Sequence, residues 1–230
     1  MNMGGTDPTL IAGLVAGLAG SSHCIGMCGG IAAALGSTAA PGGRGVACVL
    51  GYNLGRVASY AIIGGIAGLL GAGIGQGLGP AAPLLRLFAA VLVILVGIQL
   101  TLNRNLLAPL ERVGLRLWQH IAPLAQRCMP VQNPAMAFAL GGLWGWLPCG
   151  LVYAMALTAA GVGSAGGGAA FMIAFGIGTI PAMALMGVAG GRLSRFFQHQ
   201  GFRRVAGLAV LALGVWTAVF PVRALLRMWL

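Results

Sequence analysis

The chain has 230 residues, 59% of them hydrophobic, with 41 glycines and only 7% charged residues. A soluble domain carries about 25% charged residues, and a chain of this length has no single water-facing core that could hide so much apolar surface. A soluble enzyme, a disordered chain and a collagen are excluded; a polytopic membrane protein remains.

The net charge of +11 does not point to nucleic acid, because all 13 basic residues are Arg and they lie between apolar runs rather than in one patch. Charges placed in that way set membrane topology, and anionic lipid headgroups are the partner they imply. The acids, Asp7 and Glu111, both lie outside the apolar runs. Coupling to protons or to sodium or calcium ions through buried carboxylates is therefore not expected.

Six apolar segments follow in chain order, at about 9–35, 46–73, 84–103, 134–160, 166–190 and 204–222. Each is long enough to cross a hydrocarbon layer of roughly 30 Å as a helix. A helix also satisfies every backbone polar group where no water can. The first segment reads as a retained span rather than a signal peptide, since residues 1–8 lack Lys and Arg and include Asp7. The expected fold is all-α, with six transmembrane helices.

Arginines orient the bundle. Arg44 follows span 1, Arg104, Arg112, Arg116 and Arg127 follow span 3, and Arg192, Arg195 and Arg203 follow span 5. The opposite side holds Arg86, Arg223 and Arg227. The positive-inside bias places the Arg-rich connections in the cytoplasm and both termini outside. Within 104–133, Leu110, Val113, Leu117 and Ile121 recur near helical spacing between Pro109 and Pro123. This predicts an amphipathic helix on the cytoplasmic surface, the alternative being a solvated linker.

The two halves resemble each other. GLAGSSHC, ending at Cys24, aligns with GLWGWLPC, ending at Cys149; Gly55 and Gly64 match Gly178 and Gly187; Arg86 and Gly97 match Arg203 and Gly214. A repeat of three spans inserts the second copy upside down, giving an inverted 3+3 architecture with its working site near the midplane. The expected division is a first repeat at 1–103, a linker at 104–133 and a second repeat at 134–230.

The residues with chemistry cluster at the matched positions. Cys24 lies in HCIGMCGG, where Cys24 and Cys28 share a helix face and His23 and Met27 share the adjacent one. Gly26, Gly29 and Gly30 weaken a helix there. Cys149 lies in LPCG, where Pro148 removes a helical hydrogen bond and predicts a break. A histidine inside a span is costly enough to suggest a role, either in activating a neighbouring thiol or in holding a metal. Cys48 and Cys128 have no such context. Arg56 opens span 2 beside Tyr52 and Asn53, and is expected to snorkel to the cytoplasmic headgroups. Thr179 and Pro181 predict a kink in span 5.

On the motifs HCIGMCGG, YNLGR, LPCGLVYAMAL and FGIGTIPAM, spread over nearly the whole chain, the sequence resembles the six-span thiol–disulfide electron transporters of the CcdA and DsbD transmembrane-region superfamily. It is most similar to the HCxGMCG/LPCG branch, also labelled sulfite-exporter-like or UreH-like. The resemblance implies Cys24 and Cys149 as the redox pair, with His23, Cys28 and Pro148 as auxiliary residues. It implies a thioredoxin-like donor in the cytoplasm and an outward-facing thiol or copper-assembly protein as acceptor, in a bacterial inner (plasma) membrane and in the service of c-type cytochrome or oxidase assembly. No organic cofactor is required. The sequence departs from the better-known transporters in having His23 before the first cysteine, Gly26 after it, and Cys28 in addition. His23, Cys24, Met27 and Cys28 form a soft-ligand set suited to Cu(I). Four readings stand at this point: a thiol–disulfide oxidoreductase relay, a copper carrier or chaperone, an anion exporter, and a structural assembly subunit.

Overall fold

The computed structural model describes residues 8–37, 44–78, 82–102, 112, 116, 119–120, 122–125, 128–129, 131–147, 149–189 and 200–229. Seven helices lie along them: α1 (Pro8–Ser37), α2 (Arg44–Leu78), α3 (Ala82–Leu102), α4 (Pro134–Trp144), α5 (Gly150–Val162), α6 (Ala165–Ala189) and α7 (Gln200–Trp229). Among the described residues there is no strand.

The helices bury small and aliphatic residues against one another and turn large apolar side chains outward. Val205, Trp216, Leu69 and Leu70 are 69%, 70%, 63% and 59% exposed. Helices apolar on every side belong in a core or in lipid. Two stretches, Gly45–Gly73 and Ala165–Gly187, are long and apolar enough to cross a membrane by themselves. Shorter apolar helical stretches include Thr9–Ser21, Ala90–Leu102 and Arg204–Val219.

The expected fourth span is two helices. Asn133 caps α4, its side chain accepting from Met136 N at 2.8 Å, with Pro134 in the first turn. After Trp144 the chain turns: Trp146 N donates to Leu143 O at 3.2 Å, Leu147 N to Trp144 O at 3.0 Å, and Cys149 N to Leu147 O at 2.8 Å. Cys149 is extended (φ −111°, ψ 145°), and its carbonyl starts α5 by accepting from Tyr153 N at 3.1 Å. The break falls where the sequence placed it, although Pro148 itself lies outside the described residues. Gly163, at φ 72°, ends α5 in the left-handed conformation that glycine adopts without strain.

The expected weakness in span 1 does not become a break. α1 runs unbroken from Pro8 to Ser37, through Gly26, Gly29 and Gly30. Glycine costs a helix about 1 kcal/mol, less than an unmade backbone hydrogen bond in hydrocarbon. Proline removes the donor itself, so only the second motif breaks. α6 likewise continues through Pro181. Of the amphipathic helix expected within 104–133, Leu110, Val113, Leu117 and Ile121 lie outside the described residues; Arg112, Arg116, 119–120 and 122–125 are helical, and the first four of these are exposed.

The halves interlock. α1 lies along α6, and α2 lies along α4 and α5 as well as α6; α3 pairs with α7 and also meets α5, while α1 also meets α7. The close approaches are reciprocal. A methyl added at Gly17 would strike Phe175 O and sit 3.0 Å from Gly178 Cα, and one at Gly55 would strike Phe138 O and sit 2.8 Å from Gly142 N. Gly64 faces Met172 Cγ at 2.6 Å by the same measure, and Gly187 faces Val49 Cγ2 at 2.5 Å. Gly97 faces Leu211 N at 2.7 Å, and Gly214 faces Ile94 N at 2.9 Å. Small residues at helix contacts let backbones approach and gain van der Waals energy where lipid gives no hydrophobic drive.

Candidate functional site

Cys24 and Cys28 sit one turn apart on the inward face of α1, 5% and 8% exposed. His23 is half-buried beside them. Cys149, 8% exposed, stands at the start of α5. The two helices touch one turn before Cys24, where a methyl at Gly20 would lie 2.6 Å from Leu151 Cδ2. Cys24, Cys28 and Cys149 belong to one buried core cluster. All are free thiols.

The wall facing these sulfurs comes from α2. Tyr52, Arg56 and Tyr60 recur every fourth residue and form one stripe, each at most 3% exposed. The Arg56 guanidinium carbon is 5.9 Å from the Tyr52 ring centre and 5.5 Å from that of Tyr60, within cation–π range. Its Nη2 donates to Tyr60 Oη at 3.0 Å. The Arg56 charge acts on Cys24, Cys28 and Cys149 alike. Cys28 and Tyr52 belong to the same buried cluster, and Trp144 packs against it. Phe175 of α6 closes the stripe, its ring 5.5 Å from that of Tyr60.

This corrects the expectation that Arg56 snorkels to the headgroups: it is 2% exposed and lies over the Tyr52 and Tyr60 rings. Two aromatic faces and the Tyr60 hydroxyl replace part of the water that the guanidinium gives up. The replacement is incomplete. Arg56 Nη1, Tyr52 Oη and Asn53 Oδ1 are buried without a hydrogen bond of full geometry. No carboxylate occurs among the described residues, since Asp7 and Glu111 both lie outside them.

The structure thus brings together Cys24, Cys28 and Cys149, and adds Arg56, Tyr52, Tyr60 and Trp144. A visible signal for the added residues was a cation in an apolar run, with tyrosines four positions before and after it. Cys48 is buried in the core and Cys128 packs against it. Among the described residues no group of three or more His, Cys, Asp or Glu side chains is placed to hold a metal ion. The Met27 side chain lies outside the described residues. Thiol exchange passes through a sulfur anion and needs no carboxylate.

Residues 12–216 match the model of one protein family, described as the cytochrome C biogenesis protein transmembrane region. The chain belongs to that family. Its members' name fits the apolar helices and the thiols at their centre, and the chain is a membrane protein of the thiol-redox, cytochrome c biogenesis kind. The CcdA/DsbD-type resemblance read from the two cysteine motifs is thereby shown. Neither the comparison with curated proteins nor that with solved structures gives a match. In this family member the matched range contains both motif cysteines and Arg56.

Proposed function

We propose that the chain is a thiol–disulfide electron transporter of a bacterial inner membrane, carrying reducing equivalents outward through Cys24 and Cys149. A thioredoxin-like dithiol on the cytoplasmic side reduces the Cys24–Cys149 disulfide and is itself oxidised. The resulting dithiol then reduces a disulfide of an outward-facing protein in c-type cytochrome or oxidase assembly. Each cycle moves two electrons, and the protons of the donor dithiol are released or left on the pair.

One observation carries this reading: Cys24 and Cys149 belong to one buried core cluster, with Cys149 on a helix break. Irregular backbone at such depth is tolerated only where it packs on protein or lines a cavity. An inverted 3+3 repeat would present the pair to each side in turn. The reciprocal contacts support it, for Gly17 with Gly178 and Gly142 with Gly55 join matched glycines, as do Gly64 with Met172 and Gly187 with Val49. Six crossings with both termini outside follow from that repeat and from the arginine distribution.

Thiol trapping in isolated membranes tests the relay, with Cys24→Ser and Cys149→Ser as controls. The expected result is a Cys24–Cys149 disulfide that reduced thioredoxin opens. Two thiols that stay free, and are shielded from alkylation only when Cu(I) is present, would overturn the relay and make the chain a copper carrier. One observation favours a second reading, export of a small anion: Arg56 is a buried cation with an unpartnered Nη1. Uptake of labelled sulfite into inverted vesicles, lost in both Arg56→Lys and Arg56→Met and kept in Cys24→Ser, would select it.

A further inference from the structure

We infer that Ser59 is a positioning residue of the relay: its hydroxyl ties the broken end of α4 to α2 and so fixes where Cys149 stands. This rests on the relay reading above.

A helix that stops leaves its last carbonyls without donors. At the end of α4 these carbonyls find donors one by one. Gly145 N donates to Gly141 O at 2.9 Å. Trp146 N, which a continued helix would send to Gly142 O, goes to Leu143 O at 3.2 Å instead. Leu147 N goes to Trp144 O. Gly142 O receives the Ser59 hydroxyl at 2.5 Å, across from α2. Ser59 is buried, and it packs as well as bonds. A methyl added at Gly145 would lie 2.5 Å from Ser59 Cβ and 3.1 Å from its Oγ.

The first half supplies the comparison. Gly17 is the residue matched to Gly142, and α1 runs on past it without a break. Gly17 O therefore keeps its helical donor, and the hydroxyl that reaches it, Ser21 Oγ at 2.8 Å, comes from its own helix. At the offset that matches Gly55 to Gly178, Ser59 corresponds to Ala182 of α6, a buried residue with no hydroxyl to give. The cross-helix donor thus stands opposite the broken helix, and its counterpart opposite the whole one is a methyl.

The position of Cys149 follows from these bonds. Beyond the clamp the chain reaches Cys149 through short turns, the last bond being Cys149 N to Leu147 O at 2.8 Å. Without the Ser59 hydroxyl, Gly142 O regains a backbone donor when α4 takes Trp146 N back. A three-residue turn then becomes an α-turn, and the rise falls from about 2.0 to about 1.5 Å per residue. The chain before Cys149 is drawn back by roughly an ångström, and a displacement of that size costs a reacting pair up to about a hundredfold. Ser59 acts through the backbone between Gly142 and Cys149 rather than on a sulfur.

The test uses the full chain in detergent or membranes, equilibrated with thioredoxin at graded ratios of its dithiol to its disulfide. Thiol trapping reads the fraction of Cys24–Cys149 disulfide, and thermal unfolding of the same samples reads stability. In Ser59→Ala the equilibrium constant for forming the disulfide is expected to fall on the order of tenfold, which is about 30 mV for a two-electron couple. Gly145→Ala pushes the hydroxyl aside from the other helix; it should give the same shift, and it carries the test if Ser59→Ala does not fold. Ser21→Ala and Gly142→Ala should stay within about twofold of the wild type. Gly17 O keeps its helical donor in the first, and the methyl in the second meets only Ser59 Oγ, at 3.8 Å. A lower melting temperature with an unchanged constant in Ser59→Ala would overturn the inference and leave Ser59 a structural role alone. An equal fall in Ser21→Ala would overturn it too. If the wild type forms no Cys24–Cys149 disulfide that thioredoxin reduces, the relay falls and the inference with it.

Discussion

Arg56 donates a 3.0 Å hydrogen bond to the hydroxyl of Tyr60, one turn further along α2. Both residues are buried, and the ring that accepts the bond also lies under the guanidinium carbon at 5.5 Å. Tyr60 therefore satisfies a charged donor and shields it with one side chain, while Phe175 fixes the ring from α6. Tyr52 contributes its face alone, since its hydroxyl makes no hydrogen bond of full geometry.

The two tyrosines should consequently respond differently to loss of a hydroxyl. Tyr60→Phe leaves a buried guanidinium N–H unpaired, and hydrogen bonds to charged groups contribute roughly 1.5–3 kcal/mol. Tyr52→Phe keeps the cation–π face and removes only a buried hydroxyl that makes no hydrogen bond of full geometry, so it should cost clearly less than Tyr60→Phe. Thermal unfolding of the purified variants in detergent measures both. Equal losses would show that Arg56 does not depend on the Tyr60 hydroxyl.

The glycine contacts give a second contrast. Gly55→Ala forces a methyl against Phe138 O and Gly142 N, both backbone atoms that have nowhere to go. Overpacking of this kind costs about 1–3 kcal/mol. Gly73 has nothing within 4 Å of an added methyl, so Gly73→Ala should be neutral or gain a few tenths from better helix propensity. Gly17→Ala, whose methyl would meet Phe175 O and Gly178, should match Gly55→Ala. A marked difference in melting temperature between Gly17→Ala and Gly55→Ala would argue against equivalent contacts in the two halves.

Much of this arrangement was legible in residue order alone. The helix positions follow from apolar length, and the break near Cys149 follows from a proline that lacks an N–H. What local pattern could not give was the direction in which α2 turns. An arginine near the end of a span is ordinarily read as reaching for headgroups, and Tyr52 and Tyr60 as neighbours of no special kind. Only the packing of α2 on α4, α5 and α6 turns the 52–56–60 stripe inward. The unbroken α1 is the converse case: its glycines suggested a defect, but helical hydrogen bonding in an apolar surrounding outweighed their propensity.

The cap of α4 offers a control on a different helix from Cys24 and Cys149. Asn133 accepts from Met136 N at 2.8 Å, and Asn133→Ala should cost about 1 kcal/mol. Trapping of the Cys24–Cys149 disulfide should be unchanged, because Cys149 begins α5 and not α4. A lost disulfide in this variant would show that the turn at 145–149 depends on how firmly α4 is anchored.

The last prediction concerns orientation, because direction of electron flow has meaning only once the sides are known. Arg104, Arg112, Arg116 and Arg127 fall in the connection between α3 and α4, and short Arg-rich connections are retained in the cytoplasm. A reporter active only outside, fused at either terminus, should be active; the same reporter inserted at 104–133 should be silent, and a cytoplasmic reporter there should work. An even number of crossings is required for the termini to share a side. Opposite activities at the two termini would therefore remove the 3+3 arrangement. Equal activities with both termini inside would keep six crossings but place the Arg-rich connection on the side of the acceptor rather than of the thioredoxin-like donor.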